Sequence, residues 1–168
     1  MNSARPVRAF LGLDLGTLTG YAYRIGKNAP MYSGTWDHSQ RKGAGEGARF
    51  LSLWDRLDTL NAQIPGGFYA VGFEHVTFVP KDAKGAPMLA ATQVWSGYHA
   101  IMLAWCERNG VLYAGVNTMT LKKFATGNGR AVKADMIRMF QLIAGRSPGD
   151  DNEADAFHVL EWIQHTKR

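Results

Sequence analysis

The stretch FLGLDLGTLTGYAY, residues 10–23, places one acidic residue at the end of an apolar run and follows it with two glycines and two threonines. The unbroken apolar run is typical of a buried strand, and the glycines predict a turn into a second strand. Asp14 then ends the first strand, where a buried carboxylate is costly unless positive charge lies close to it. The rest of the sequence should therefore supply a positive charge that stabilises the carboxylate of Asp14.

The composition around this stretch is that of a folded domain. The chain has 168 residues, of which 46% are hydrophobic and 20% charged, and this predicts a single globular domain over residues 1–168. No apolar stretch approaches the roughly 20 residues of a membrane span, and the first residues lack the apolar segment of a signal peptide. We therefore expect a cytoplasmic protein with no membrane partner.

The cysteine content and the net charge restrict the chemistry further. A single cysteine, Cys106, excludes an internal disulfide and predicts a plain buried thiol. The formal net charge of +5 favours a polyanionic partner.

Apolar runs alternate with amphipathic segments along the rest of the chain. The predicted strands cover residues 7–15, 20–26, 29–38, 68–75 and 111–117. The predicted helices cover residues 48–64, 87–109, 132–144 and 151–165. Residues 118–131 are interpreted as a short basic segment and a turn. This order predicts a mixed α/β sheet of five strands, the first three forming a meander, with helices on its faces.

Four carboxylates fall where these elements begin or end. Asp14 ends the first strand and Glu74 the fourth, while Asp151 and Asp155 share one face at the start of the last helix. If the first and fourth strands are neighbours, all four converge on one edge of the sheet. Like charges gather only around a cation, and carboxylate oxygens suit Mg²⁺ or Mn²⁺. The pattern predicts two ions that activate a water and stabilise the leaving oxygen in phosphodiester cleavage.

Structural alternatives stay open for several of these residues. Asp14 also fits a turn and Asp151 a helix N-cap. His75 follows Glu74 on a strand and so faces the other way, which argues against shared ligation. His158 is either a support for Asp155 or a buried structural histidine.

Four motifs, in order, resemble the RuvC-type Holliday junction resolvases of the RNase H-like superfamily. They are LGLDLGTLTGYAY (11–23), VGFEHV (71–76), LKKFATGNGRAVKADM (121–136) and DDNEADAFHVL (150–160). The resemblance covers nearly the whole chain and implies an RNase H-like fold. It also implies a Mg²⁺-dependent crossover junction endonuclease of DNA recombination and repair, a homodimer that nicks a four-way DNA junction symmetrically. Departures from the usual bacterial pattern favour a phage or plasmid origin.

Three acids match the metal ligands of that family one for one: Asp14, Glu74 and Asp155. The family places its remaining acid or a histidine three residues before the last aspartate, and this chain has Asn152 there. Asp151 is our choice for the fourth ligand because its helix face still meets Asp155, with Asp150 and Asn152 as alternatives. The predicted catalytic set is these four acids and Lys133.

Basic side chains supply the candidate DNA contacts. Lys122 and Lys133 fall on lysines with which the family contacts DNA, and Lys133 stands near its scissile phosphate. A lysine at that point stabilises the charge of a phosphoryl transition state. Further candidates lie beside Lys122 or in two flexible loops that would track the backbone of the DNA arms: Lys123, Arg41, Lys42, Lys81 and Lys84. A solvated surface is the alternative for each.

Two further features follow from the resemblance. Phe78 lies near the point where the family inserts an aromatic side chain into the junction centre, which predicts stacking on a base or wedging, with core packing as the alternative. The helix at 87–109 resembles the family's dimer helix. Its candidate interface residues, for which core packing is again the alternative, are Met88, Gln93, Trp95 and Tyr98.

Other functions remain open. DLGTLTG also resembles the phosphate-binding start of the sugar kinase and actin superfamily, but those proteins enclose their nucleotide between two domains and have no use for an acidic last helix. A catalytically inactive member that binds DNA structures is a second alternative. A nuclease that acts on other branched DNA or on RNA–DNA hybrids is a third, since a fold does not fix a substrate.

Overall fold

The computed structural model describes residues 7–26, 28–75, 83–86 and 88–167. Its strands are β1 (Ala9–Asp14), β2 (Leu18–Ile25), β3 (Met31–Asp37), β4 (Phe68–His75) and β5 (Leu112–Asn117). Its helices are α1 (Ala48–Ala62), α2 (Leu89–Asn109), α3 (Thr118–Thr126), α4 (Lys133–Ala144) and α5 (Asp151–Thr166). No helix among these described residues has the length and apolar character that crossing a membrane requires.

The strands form one mixed sheet in the order β3-β2-β1-β4-β5. The first three are antiparallel neighbours, and β1, β4 and β5 run parallel. The predicted meander is therefore confirmed, and the first and fourth strands are neighbours, which is the condition for their acids to converge. Because parallel strands end at the same edge of a sheet, the ends of β1 and β4 bring Asp14 and Glu74 to that edge.

Each face of the sheet carries its own helical layer. On one face α1 and α2 bury a core that includes Leu53, Leu57, Tyr98 and Trp105. The indole of Trp105 donates a hydrogen bond of 2.6 Å to Asp58 and ties the two helices together. The thiol of Cys106 is buried in the same core, as predicted, and burial raises its pKa to about 12.

On the other face α5 lies unusually close to the sheet, because glycines stand beneath it. A β-carbon at Gly20 would lie 1.9 Å from the carbonyl oxygen of Asn152, and one at Gly12 would lie 2.4 Å from that of Ala156. Any side chain at these positions would push the helix away. The glycines thus let the first turns of α5 reach the edge where β1 ends.

The helix α3 was not predicted and corrects our interpretation of residues 118–131. It begins directly after β5, where the side chain of Asn117 accepts the amide proton of Thr120 at 2.9 Å, and it ends at Gly127 with a φ of 80°. The last residue of the strand is also the N-cap of the helix, so no turn signal separates the two elements. Two β-branched threonines in the first turn weaken the helical pattern further.

Candidate active site

The acids of β1, β4 and α5 meet at the edge where the parallel strands end. The charges of Asp155, Glu74 and Asp151 all act on Asp14. Burial first, and these three charges after it, raise the pKa of Asp14 well above its usual range. The structure therefore places the three other carboxylates that the sequence singled out within electrostatic reach of Asp14.

A cavity of about 180 Å³ lies between β4, α3, α4 and α5, and neither Asp14 nor Asp151 lines it. Its lining residues are Glu74, Thr118, Leu121, Lys122, Lys133, Met136 and Asp155. Burial and the charge of Glu74 raise the pKa of Asp155 to about 6, against the opposing effect of Lys133 and Lys122. A pocket that combines perturbed carboxylates with lysines is typical of a functional site.

Lys133 is the first residue of α4 and forms an ion pair with Asp151. The hydrogen bond with Asp151 raises the pKa of Lys133, and the same bond lowers the pKa of Asp151. The side chain of Lys133 is 74% exposed, so the pair lies at the open mouth of the site.

Thr118 is a site residue that the sequence interpretation missed. Its hydroxyl donates a hydrogen bond to a carboxylate oxygen of Glu74 from the first residue of α3. Recognising a helix that starts at the end of β5 would have revealed it, because such a helix must point its first turn at the strand-end acids.

The donor set fits a hard divalent cation. Carboxylate oxygens are the ligands that Mg²⁺ and Mn²⁺ prefer, and the crowded acids around Asp14 carry more negative charge than Lys133 and Lys122 offset. Within the described residues, however, no three His, Cys, Asp or Glu side chains stand close enough to hold an ion as they are. Two of the four acids have protein partners instead: Glu74 accepts a hydrogen bond from Thr118, and Asp151 forms an ion pair with Lys133.

The N-cap of α5 narrows the choice of residue for the fourth metal ligand. Asp150 is the N-cap, and its Oδ1 accepts hydrogen bonds from the hydroxyl of Thr35 at 2.7 Å and the amide of Glu153 at 2.9 Å. Asp150, not Asp151, therefore has the capping role. It is the charge of Asp151 that reaches Asp14 and Asp155.

The predicted DNA-contacting residues divide by position. Lys122 and Lys133 line the cavity, whereas Lys123 is exposed outside it. Arg41 and Lys42 are exposed in the loop after β3, and Lys84 is exposed before α2. Two predicted residues, Lys81 and Phe78, lie outside the described residues.

The two histidines near the candidate ligands differ in burial. His75 is exposed at the end of β4, and its ring lies 5.9 Å from that of His99. His158 is 1% exposed, and its Nε2 lies 2.9 Å from the carbonyl oxygen of Met136, which identifies it as a buried structural histidine.

The candidate interface residues of α2 also separate. Tyr98 is fully buried in the core, and Trp95 is half-buried and stacks on His99 at 5.0 Å. Gln93 and Met88 remain exposed.

The sheet order, the crossing helix α5 and the acids at the strand ends together define an RNase H-like fold. Among solved structures, Thermus thermophilus RuvC matches with a TM-score of 0.70 and 18% identity, covering 95% of this chain and 96% of that one. T. thermophilus RuvC in complex with a Holliday junction substrate matches with a TM-score of 0.76 and 18% identity over 96% and 95% of the two chains.

The yeast mitochondrial Holliday junction resolvase Ydc2 has the same architecture. It matches with a TM-score of 0.62 and 13% identity, over 99% of this chain and 83% of that one. No family model matches the sequence, and no curated protein matches it. The chain therefore has the fold of the RuvC-type resolvases, at sequence identities that establish the fold alone.

Proposed function

We propose that this chain is a divalent-metal-dependent endonuclease that resolves four-way DNA junctions by symmetric phosphodiester nicking. The observation that carries the proposal is the placement of Asp14 among three further acids at one edge of an RNase H-like sheet. A fold shared with a RuvC that has been seen with a Holliday junction, and a net charge of +5, support DNA as the substrate.

Four acids would hold two Mg²⁺ ions, for which Mn²⁺ can substitute: Asp14, Glu74, Asp151 and Asp155. Ions bound there would supply an activated water and stabilise the leaving oxygen. The hydrogen bond from Thr118 fixes the orientation of the Glu74 carboxylate. Burial of Asp14 and Asp155 keeps bulk water from screening the charges at the reacting phosphate.

Lys133 and Lys122 bring positive charge to the scissile phosphate. Lys133 reaches the mouth of the site on a long, exposed side chain, so its ammonium can exchange the Asp151 carboxylate for a phosphate oxygen. Lys122 lines the wall opposite, on α3. Contacts further along the DNA are assigned to the remaining basic residues and to the aromatic side chain of Phe78: Lys123, Arg41, Lys42, Lys81 and Lys84.

Symmetric nicking requires two active sites, and we assign the homodimer contact to the exposed side of α2. Small or polar residues recur there at helical spacing and would allow a second helix to approach closely: Gln93, Ser96, Ala100 and Ala104. We place the protein in the cytoplasm, with the DNA that it cuts.

A second candidate function is that of a catalytically inactive protein that binds DNA junctions. It is favoured by one observation: no three acid, histidine or cysteine side chains among the described residues are arranged to hold an ion. Hydrolysis of other branched DNA or of RNA–DNA hybrids would use the same acids on a different substrate.

A cleavage assay separates these functions. A labelled four-way junction, a flap and an RNA–DNA hybrid are incubated with the protein in Mg²⁺ or in EDTA, with Asp14→Asn as the inactive control. Paired nicks on the junction that vanish in EDTA and in the variant would support the proposal. Tight junction binding with no cleavage of any substrate would indicate a catalytically inactive DNA-binding protein. Cleavage of the hybrid or the flap alone would indicate a nuclease with that substrate in place of the four-way junction.

A further inference from the structure

Three clefts lie side by side along α1 and lead away from the active-site edge. The first, about 400 Å³, is lined by the turn at Gly16 and Thr17, the start of α2 and Arg49. The second, about 560 Å³, lies between α1 and the loop after β3 and includes both Arg49 and Arg56. The third, about 440 Å³, is lined by Arg56 and by aromatic side chains of β2 and β3. We name this series of clefts the α1 groove.

The groove has a regular polar floor. One row of polar residues from α1 and its C-cap recurs there three and four positions apart, which places the row on one face of the helix. The row consists of Arg49, Ser52, Arg56, Thr59 and the C-cap Gln63, and the rest of the lining from α1 is Ala48, Leu51, Asp55 and Leu60. Arg49 is shared by the first and second clefts and Arg56 by the second and third, so one arginine stands at each boundary.

The groove starts close to the catalytic acids. Thr17 follows Asp14 by three residues, and Leu18 and Gly20 of β2 pair with Asp37 of β3 and with Asp14. The second cleft, which includes Asp37, therefore lies at the same edge of the sheet as the active site. Two strand spacings separate it from β1, about 10 Å.

Arginines outnumber acids among the residues that line the groove. Arg41, Arg49 and Arg56 line the second cleft, and none of them forms a salt bridge within the described residues. The same lining holds two acids, Asp37 and Asp55, and Arg49 donates a hydrogen bond of 2.6 Å to the side-chain oxygen of Gln40. A guanidinium with no carboxylate partner is suited to a phosphate oxygen.

The far end of the groove offers aromatic rings. Tyr32 is 53% exposed and stacks on Tyr23 with ring centroids 5.1 Å apart. Exposed stacked rings next to cationic side chains are typical of surfaces that bind nucleic acid strands.

We propose that the α1 groove binds the sugar–phosphate backbone of the DNA strand that leaves the catalytic pocket, with Arg49 and Arg56 on separate phosphates. Seven residues of helix separate the two arginines, about 10.5 Å, which equals the rise of roughly three nucleotides along the axis of B-DNA. The inference rests on the proposed function in one respect, that the substrate is DNA. It adds Arg49 and Arg56 to the residues that the sequence had pointed to.

The test uses the double variant Arg49→Gln/Arg56→Gln and measures DNA binding by fluorescence anisotropy in EDTA across a salt series. The probes are a four-way junction, a duplex and a single strand of equal length. Removing two phosphate contacts should weaken junction binding about tenfold near physiological salt. It should also flatten the slope of log K against log salt by about 1.8 on duplex and about 1.4 on single-stranded DNA. The double Arg→Lys variant should restore the slope, because it keeps the charge.

Arg108→Gln is the matched control, since Arg108 is exposed near the end of α2, at the opposite end of the sheet, and its loss should leave both quantities unchanged. A double Gln variant with wild-type affinity and slope on all three probes would overturn the proposal, as would a wild-type protein that binds none of them. The binding test needs no cleavage, so its outcome stays separate from the nicking assay. If the protein binds DNA through the groove but does not nick it, only the proposed nuclease function is contradicted. If it nicks the junction and the double Gln variant binds like the wild type, only the groove proposal is contradicted.

Discussion

Two pairs of acids at the start of α5 differ sharply although they lie within six residues of each other. Asp150 caps the helix, and Glu153 is 4% exposed and bound by Arg146, Ser33 and the amide of Gly149. Burial raises the pKa of Glu153, but the hydrogen bonds from Arg146 and Ser33 outweigh it and leave the pKa lowered.

The other pair, Asp151 and Asp155, faces Asp14 and Glu74. Asp155 has a pKa raised to about 6, and among the described residues the cations that act on it are Lys133 and Lys122 from neighbouring helices. The two pairs therefore differ in their partners: Asp150 and Glu153 are bound by neighbouring groups of the fold, Asp151 is paired with the exposed Lys133, and Asp155 lines the cavity. The number and burial of the partners, not the residue type, thus separate the carboxylates that hold α5 in place from those that we propose to act in catalysis.

The largest expected effect comes from removing an unsatisfied acid. Asp155→Asn should lower junction nicking by at least about a thousandfold, because a metal ligand supplies several kcal/mol of transition-state stabilisation. The folded protein should be no less stable in EDTA, since the change relieves repulsion with Glu74. Single-turnover cleavage measures the activity, and thermal unfolding measures the stability. A variant that loses stability as well as activity would contradict the distinction between the two pairs of acids.

Lys133 tests whether the ion pair competes with metal. Lys133→Met should lower nicking by roughly a hundredfold, because one transition-state contact to the phosphate is lost. The same change frees Asp151 and should tighten Mg²⁺ binding several-fold, measured by calorimetry without DNA. Weaker Mg²⁺ binding in this variant would mean that Lys133 holds Asp151 in position for the ion and does not compete with the ion for this carboxylate.

Glu153→Gln attacks the satisfied pair. It weakens a charge-assisted network with Arg146 and Ser33, so the free energy of unfolding should fall by about 2 kcal/mol. Denaturant unfolding gives the value, with Glu161→Gln on the same helix as the partly exposed comparison. An unchanged stability would show that the network is dispensable, and the contrast with Asp155 would lose its basis.

The smallest expected effect is on the pH dependence of stability, and it comes from His38, which lies outside both pairs of acids. His38 is 2% exposed, and burial, followed by the charge of Arg56, lowers its pKa to about 4. The unfolded chain takes up this proton near pH 6.5 and the folded chain only near pH 4, so stability should fall as the pH drops through that window. His38→Gln should remove this part of the pH dependence, and chemical unfolding at pH 7 and pH 5 measures it. The same pH dependence in the variant would contradict this assignment.

Much of the fold followed from residues with strong local patterns. The apolar run before Asp14, the strand ending at Glu74 and the spacing of Asp151 and Asp155 predicted one shared edge, because strand direction and helix periodicity fix where such side chains point. The sequence could not show which acid caps α5, since that depends on Thr35 meeting Asp150 across the sheet. It also missed Thr118, because a strand and a helix that share Asn117 leave no visible boundary.

The close seat of α5 on β1 and β2 has a consequence for how the chain can vary. Gly12 and Gly20 have no chemistry of their own, yet the height of α5 above the sheet, and so the reach of Asp155 toward Asp14, depends on their missing side chains. A methyl group added at either position would push α5 away from the sheet and change the distance between the two carboxylates. The spacing of the candidate site therefore depends on two residues that carry no polar side chain.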